Sequence, residues 1–325
     1  MFKATDTIMR LISQDRANGH ERMAQLRELI WDRLQSSEKD SADQKVVASE
    51  QSPAVAKASL LASAIAMLKG MLRRFGVEFF VYDSFAYAGG AVEGRFLDLI
   101  ERSVQLSLKE NDLPQLRAMI HAEQFVGIVV PDKVKLPFPI PLGGEAVGGD
   151  GSLRQMLVLH VGNESSVEVV EGCDIRNQAS QSLLHARHIQ LGVGTSCRWQ
   201  SFRKSQADAS MSIHYSAWLE DRAELAMVAA QIAGKCVESS VRAEGGSAKV
   251  SYVGTSLVEG CRAPNVATTN TIIKDGRYFE RTQKHSDLDW DDVVGKFFSG
   301  KIAAEYFVEL ESRRIEGLCF RQIQL

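Results

Sequence analysis

The sequence predicts a mainly β fold built from many short strands, and three observations carry that expectation. Between Arg154 and Cys261 apolar residues recur at every second position. Met211, Ile213, Tyr215, Ala217 and Leu219 alternate with Ser212, His214, Ser216 and Trp218, and Ala248, Val250 and Tyr252 alternate with Lys249 and Ser251. Successive strand side chains point to opposite faces, so a period of two marks strands buried on one side. The runs are separated by turn chemistry, Gly162-Asn163, Gly192-Val193-Gly194, Asp221-Arg222 and Gly245-Gly246. No helix of ordinary length interrupts them. Strands of this kind with glycine corners fit a sandwich, a barrel or a β-solenoid, and pattern alone does not choose among the three.

Residues 1–35 read as N-terminal helices, with Met23, Leu26, Leu29, Ile30 and Leu34 at helical spacing and a break at Asn18-Gly19. Residues 36–53 are dominated by Ser, Glu, Asp, Lys and Gln without periodicity and read as a flexible linker. A helical region over 54–123 follows. It includes the apolar stretch Ala54 to Met71, a strand at Val77 to Tyr82, an amphipathic helix around Val92 to Leu108 and a shorter one from Leu113 to Ala122. The β core is expected over 124–285, entered through an extended piece in which Pro137, Pro139 and Pro141 remove backbone donors and point to a sheet edge. Gly143 to Ser152 reads as a loop, and Thr271 to Lys274 and Arg277 to Thr282 are the last strand candidates. From Ser286 helical spacing returns with Trp290, Val294, Phe297, Phe298, Ala304 and Phe307, so 286–325 reads as a C-terminal helical segment.

A net charge of -3 gives no general attraction to polyanions, and no basic patch of useful length compensates, so neither nucleic acid nor an anionic membrane surface is an expected partner. The most hydrophobic stretch carries Lys57 and Lys69 and falls short of the roughly 20 apolar residues a membrane span needs. Five cysteines, an odd number, with no signal peptide point to a reducing compartment, the cytoplasm.

The run from Arg154 to Cys173, ending Val170-Glu171-Gly172-Cys173, resembles the entrance to the β-helical core of the SufB/SufD family, where a similar two-strand passage ends in Leu-Glu-Gly-Cys. Upstream, Gly127-Ile128-Val129-Val130-Pro131 followed by Pro139-Ile140 is similar to that family's extended valine-proline, proline-isoleucine segment. The resemblance covers about residues 120 to 262 and implies a β-helix (solenoid) core between the two helical regions. It implies a scaffold for iron-sulfur cluster assembly, not itself an enzyme, that works with a SufC-type ABC ATPase and a second SufB/SufD-like protomer. Leu288 to Leu310 looks like the segment that docks on the ATPase, with Trp290, Val294, Phe298 and Ile302 as its contact residues.

Sulfur transfer and iron binding both need thiolates. The resemblance points first to Cys173 as the sulfur-accepting and metal-binding residue of a transient iron-sulfur cluster, and second to Cys261, whose surroundings Glu259-Gly260-Cys261-Arg262-Ala263-Pro264 match the family letters closely. The spacings from Cys173 to Cys197 and from Cys236 to Cys261 could each be one solenoid turn, which would stack each pair on adjacent rungs about 4.8 Å apart. The plain alternative is that these cysteines are small buried hydrophobes. His160, His185, His188 and His214 are ligand candidates, though a lone histidine in an alternating strand is more often a half-exposed polar-face residue. The family's downstream cysteine-histidine and histidine-valine-proline motifs are missing, and with no C-x-x-C any cluster would draw ligands from a second chain. Gly295 to Lys301 has P-loop spacing but continues with Ile302 in place of the magnesium-binding hydroxyl. The competing readings are a non-catalytic β-solenoid that binds a protein or glycan, and a divergent family member that keeps the docking helix without a metal site.

Overall fold

The computed structural model describes residues 2–38, 69–83, 94–143, 153–175, 182–205, 210–233, 236–244, 248–258, 267–273 and 277–282. Helices and strands both contribute substantially, in one mixed and one parallel sheet. Helices α1 (Phe2–Ala17) and α2 (Glu21–Glu38) form a hairpin whose turn passes through Gly19 at φ 79°, as the Asn18-Gly19 break predicts. Strand β1 (Glu78–Asp83) precedes α3 (Gly94–Lys109), which buries Phe96, Leu97, Ile100, Ser103, Val104 and Ser107 along one stripe. Helix α4 (Leu113–His121) is capped by Asp112, whose carboxylate accepts from the Gln115 N–H at 3.3 Å, and Pro114 stands in its first turn where no donor is needed.

Twelve strands follow: β2 (Gln124–Val130), β3 (Ile140–Gly143), β4 (Leu153–Val161), β5 (Ser166–Ile175), β6 (Ser182–Leu191), β7 (Ser196–Ser205), β8 (Ser210–Leu219), β9 (Glu224–Ala233), β10 (Cys236–Glu244), β11 (Lys249–Val258), β12 (Ala267–Ile273) and β13 (Arg277–Thr282). Even-numbered strands join β1 in a seven-stranded sheet ordered β1-β2-β4-β6-β8-β10-β12, and odd-numbered strands form a six-stranded sheet ordered β13-β11-β9-β7-β5-β3. Every pairing is parallel except that of β1 with β2. From β2 onward each strand therefore pairs with the strand two places along the chain. β3, with Pro141, takes the sheet edge that its prolines require.

The corners between sheets stack on one another. The Lys133 N–H donates to the Asn163 carbonyl, Glu164 to Val193 and Gly194 to Asp221. Lys133, Glu164, Gly194 and Arg222 all adopt positive φ, from 55° to 65°. Asn163 links three corners: its N–H donates to Asp132 Oδ1 at 2.7 Å, 31 residues earlier, and its Oδ1 accepts from the Val193 N–H at 2.8 Å, 30 residues later. Gly162 and Gly192 are needed for this closeness. A Cβ on Gly162 would lie 2.6 Å from the Asp132 nitrogen, and one on Gly192 2.9 Å from the Asn163 nitrogen.

Between the sheets lies the apolar core, with Ile128, Val130, Leu157, Leu159, Val161, Ile189, Leu191, Ile213, Tyr215, Ala217 and Leu219 on one side and Val167, Val169, Cys197, Trp199, Leu225, Met227 and Val250 on the other. The alternation in β8 read from the sequence thus identifies the inward face. A second core, with Phe80, Phe96, Ile100, Leu116, Met119, Phe125, Met156 and Val158, joins the helices to the opposite face of the seven-stranded sheet. Helices α1 to α4 lie along one face of the strand stack, β1 covers its first edge, and Leu72 from the helical turn over residues 69–73 packs into the inter-sheet core at its start. Buried Arg27 of α2 fixes this arrangement, donating to Asp15 Oδ2 at 2.7 Å and to the carbonyls of Ile120 and Ala122 at 2.6 and 2.7 Å, while the Tyr82 hydroxyl donates to Asp15 Oδ1 at 2.6 Å. No helix among the described residues is long and apolar enough to cross a membrane.

Candidate functional site

The space between the sheets is not uniform. At the corner end every inward residue is apolar, but at the opposite end the inward rows carry charge. Gln124, Gln155, His185 and Ile213 share one register row, and Val126, Leu157, Arg187 and Tyr215 share the next. From the facing sheet, Glu171 of β5 and Ser201 of β7 stand opposite each other in register. Strand parity explains the geometry: Val167, Val169 and Glu171 point the same way, as do Arg187, Ile189 and Leu191.

Arg187 is the centre of this group. It is 1% exposed and Glu171 2%. Its Nε donates to Glu171 Oε1 at 2.7 Å, and its Nη2 also contacts that oxygen. The same Nη2 donates to Gln155 Oε1 at 2.9 Å, and Nη1 donates to the carbonyls of Ala186 and Gln155 at 3.1 and 3.3 Å. Nη2 also lies 2.7 Å from His185 Nδ1. Ser201 donates to Glu171 Oε2 at 3.3 Å, Tyr215 donates to Ser201 at 3.1 Å, and Gln155 donates to Gln124 Oε1 at 2.6 Å. A buried ion pair is tolerable only when its remaining hydrogen-bonding capacity is used in this way.

Cys173 lies in β5 two residues beyond Glu171, in register with Arg203 of β7. Cys261, and Trp290, Val294, Phe298 and Ile302 of the expected docking segment, lie outside the described residues, as do Gly245-Gly246 and the linker beyond Glu38. No protein-family model matches the chain, and no curated protein matches it.

The structure corrects two expectations. Cys173 and Cys197 are not neighbours on adjacent rungs. Cys197 stands opposite Val167, because the pairing step at the linked corner is 30 residues, not the 24 that separate the two cysteines. Cys197 is instead the small buried hydrophobe of the plain alternative, and burial pushes its thiol up to about 12. The histidines are also more enclosed than an alternating strand suggests. His185, His188 and His214 are buried and only His160 is partly exposed. They also divide between faces, His185 inward with Arg187 and the other three under the helices. Among the described residues no group of three or more His, Cys, Asp and Glu side chains is arranged to hold a metal ion.

Sequence reasoning missed Glu171, Arg187, His185, Gln155 and Ser201 as one constellation. A signal was present in the parity of Val167-Val169-Glu171 and Arg187-Ile189-Leu191, which puts two opposite charges on otherwise apolar faces.

Proposed function

We propose that this chain is a SufB/SufD-like component of an iron-sulfur cluster assembly scaffold: a two-sheet β-helix that works in the cytoplasm beside a SufC-type ABC ATPase and a second SufB/SufD-like protomer. One observation carries the reading. Consecutive strands alternate between two sheets and pair in parallel with the strand two places on, at steps of 25 to 31 residues, and the charged end of the enclosed space belongs to the same strand as Cys173. A coil of stacked rungs accounts for that alternation, whereas a sandwich of hairpins would need antiparallel neighbours.

In this reading the chain catalyses no reaction of its own. Cys173, and secondarily Cys261, ligates iron as a thiolate or attacks the outer sulfur of a donor protein's persulfide, taking that sulfur while the donor cysteine leaves as a thiolate, with the remaining ligands supplied by a second protomer. ATP hydrolysis in the partner pulls on the segment bearing Trp290, Val294, Phe298 and Ile302 and moves the rungs.

Anaerobic addition of iron and sulfide to the chain purified with an ABC-type ATPase tests the proposal. The expected result is visible cluster absorption that falls by most of its intensity in Cys173→Ala. A colourless wild type, or undiminished absorption in the variant, overturns the cluster-binding role. Failure to retain the ATPase would favour a β-solenoid binding module.

A further inference from the structure

The face of the seven-stranded sheet beneath the helices changes character from one side to the other. Its register rows run Phe125, Met156, Ala186, His214; then Gly127, Val158, His188, Ser216; then Val129, His160, Gln190, Trp218. The first two rows begin apolar at β2 and end polar at β8, and the third passes through His160 and Gln190 before it ends at Trp218. Helices α3 and α4 are therefore held by an apolar grip at one side and a polar seam at the other.

Hydrogen bonds and a ring stack mark that seam, among them a hydrogen bond between His160 and Gln190. Ser216 Oγ donates to Asp112 Oδ2 at 2.5 Å, joining β8 to the cap of α4. His188 stacks on Trp218 with ring centres 4.3 Å apart, and its Nε2 lies 2.9 Å from Gln190 Nε2. His214 Nε2 lies 2.9 Å from Ser212 Oγ. Meanwhile His188 Nδ1, His160 Nδ1, Ser107 Oγ and both amide atoms of Gln115 are buried without a hydrogen-bonding partner. Ser107 and Gln115 flank Asp112 in sequence, and His188 is the register neighbour of the serine that holds it. Ser107 and Gln115 thus bring unpaired groups to either side of the bond between Asp112 and Ser216, and each weakens closure there.

The charges facing the histidines also oppose protonation. Burial pushes His188 down to about 3 and His214 to about 4, and His160 is lowered for the same reason. Arg102 of α3 adds to this at His188 and His160, Arg95 of α3 at His160, and Arg117 of α4 at His214. On the acidic side, Asp132 acts on His160 but stands at a corner bonded to Asn163, and Asp112 is committed to Gln115 and Ser216.

We infer that α3 and α4 form an acid-releasable clasp: proton uptake at His160, His188 and His214 lifts these helices from the seven-stranded sheet while the space between the two sheets stays closed. Exposed imidazoles titrate near 6.5, so the lifted state binds more protons than the closed one between that value and the depressed ones. Closure is complete above pH 6.5 and weakens as pH falls toward 4. From pH 7 to pH 5, His188 and His214 together raise the lifted population roughly several-hundredfold.

Hydrogen exchange with mass spectrometry on the full chain, at pH 7 and pH 5 with intrinsic rates divided out, tests this. The expected result is at least about a hundredfold acceleration in peptides spanning 94–121, with 196–205 and 224–233 unchanged. In His188→Gln/His214→Gln the acceleration falls at least about tenfold below that of the wild type, and His121 of α4, which burial also holds at about 4, supplies with His160 what remains. Helices and strands losing protection together at one pH would overturn the inference, as would full acceleration in the double variant. The wild-type comparison decides even where the variant does not fold.

Discussion

The seven-stranded sheet has two buried faces, and they handle polarity in opposite ways. Inward, toward the six-stranded sheet, the charged group among the described residues is closed on itself: Glu171 and Arg187 neutralise each other with Gln155, His185 and Ser201 around them, and the Trp199 indole nitrogen is the unpartnered exception. Outward, toward the helices, imidazoles, an amide and a hydroxyl are buried with atoms left over. A satisfied network specifies one arrangement, whereas an unsatisfied one costs free energy that an alternative arrangement can recover. The inward face is therefore the framework, and the outward face is where the molecule can come apart without losing it.

The largest expected effect comes from breaking the inward pair. Arg187→Met leaves Glu171 buried without a counter-charge and should lower unfolding stability by about 3 to 5 kcal/mol, while Arg187→Met/Glu171→Met should recover most of the loss. Denaturant titration of both variants checks this, and a double variant no better than the single would mean the charges are not a closed unit.

Acid should act next, through the outward face. His188 and His214 are held at about 3 and 4 in the folded chain against an ordinary 6.5. Because the unfolded chain binds the extra protons, stability is full above 6.5 and is lost as pH falls toward those values, on the order of 3 kcal/mol for each group. Unfolding midpoints measured from pH 7 to pH 4 should fall steadily; a flat profile would place the imidazoles in water.

Corner stacking can be tested at Gly162, where a Cβ meets backbone. Gly162→Ala should cost about 1 to 3 kcal/mol by overpacking. At the seam the sign reverses: Gln115→Leu removes two unpartnered atoms and should raise stability by about 1 kcal/mol. A destabilised Gln115→Leu, read by thermal melting, would show that the amide is held after all.

Much of the architecture was legible because period-two alternation reports which residues share a face. It singled out Ile213, Tyr215, Ala217 and Leu219, which do line the inward face, and the turn residues Gly162-Asn163, Gly192 to Gly194 and Asp221-Arg222 do form the corners. Alternation says nothing about how far along the chain the partner strand lies. The cysteine spacing of 24 therefore misled, where corner length sets a step of 30. Two buried regions were illegible for a shared reason: Arg187 and Glu171 inside, and His188, Gln190 and His214 outside, are residue types that normally mark a solvent face. Only pairing with a second layer buries them, and that is a property of tertiary packing rather than of the strand that carries them.

Pairing of each strand from β2 onward with the strand two places on sets every row and face, and one cross-link reads it directly. In the structure Val167 and Cys197 are register neighbours on β5 and β7, and Cα atoms of paired strands lie within the roughly 4.4 to 6.8 Å that a disulfide spans. Oxidative refolding of Val167→Cys followed by peptide mapping should yield a disulfide between positions 167 and 197, with Cys173 left as a free thiol. A disulfide between Cys173 and Cys197 instead would mean that β5 and β7 pair with the shorter step, contradicting the register of the six-stranded sheet.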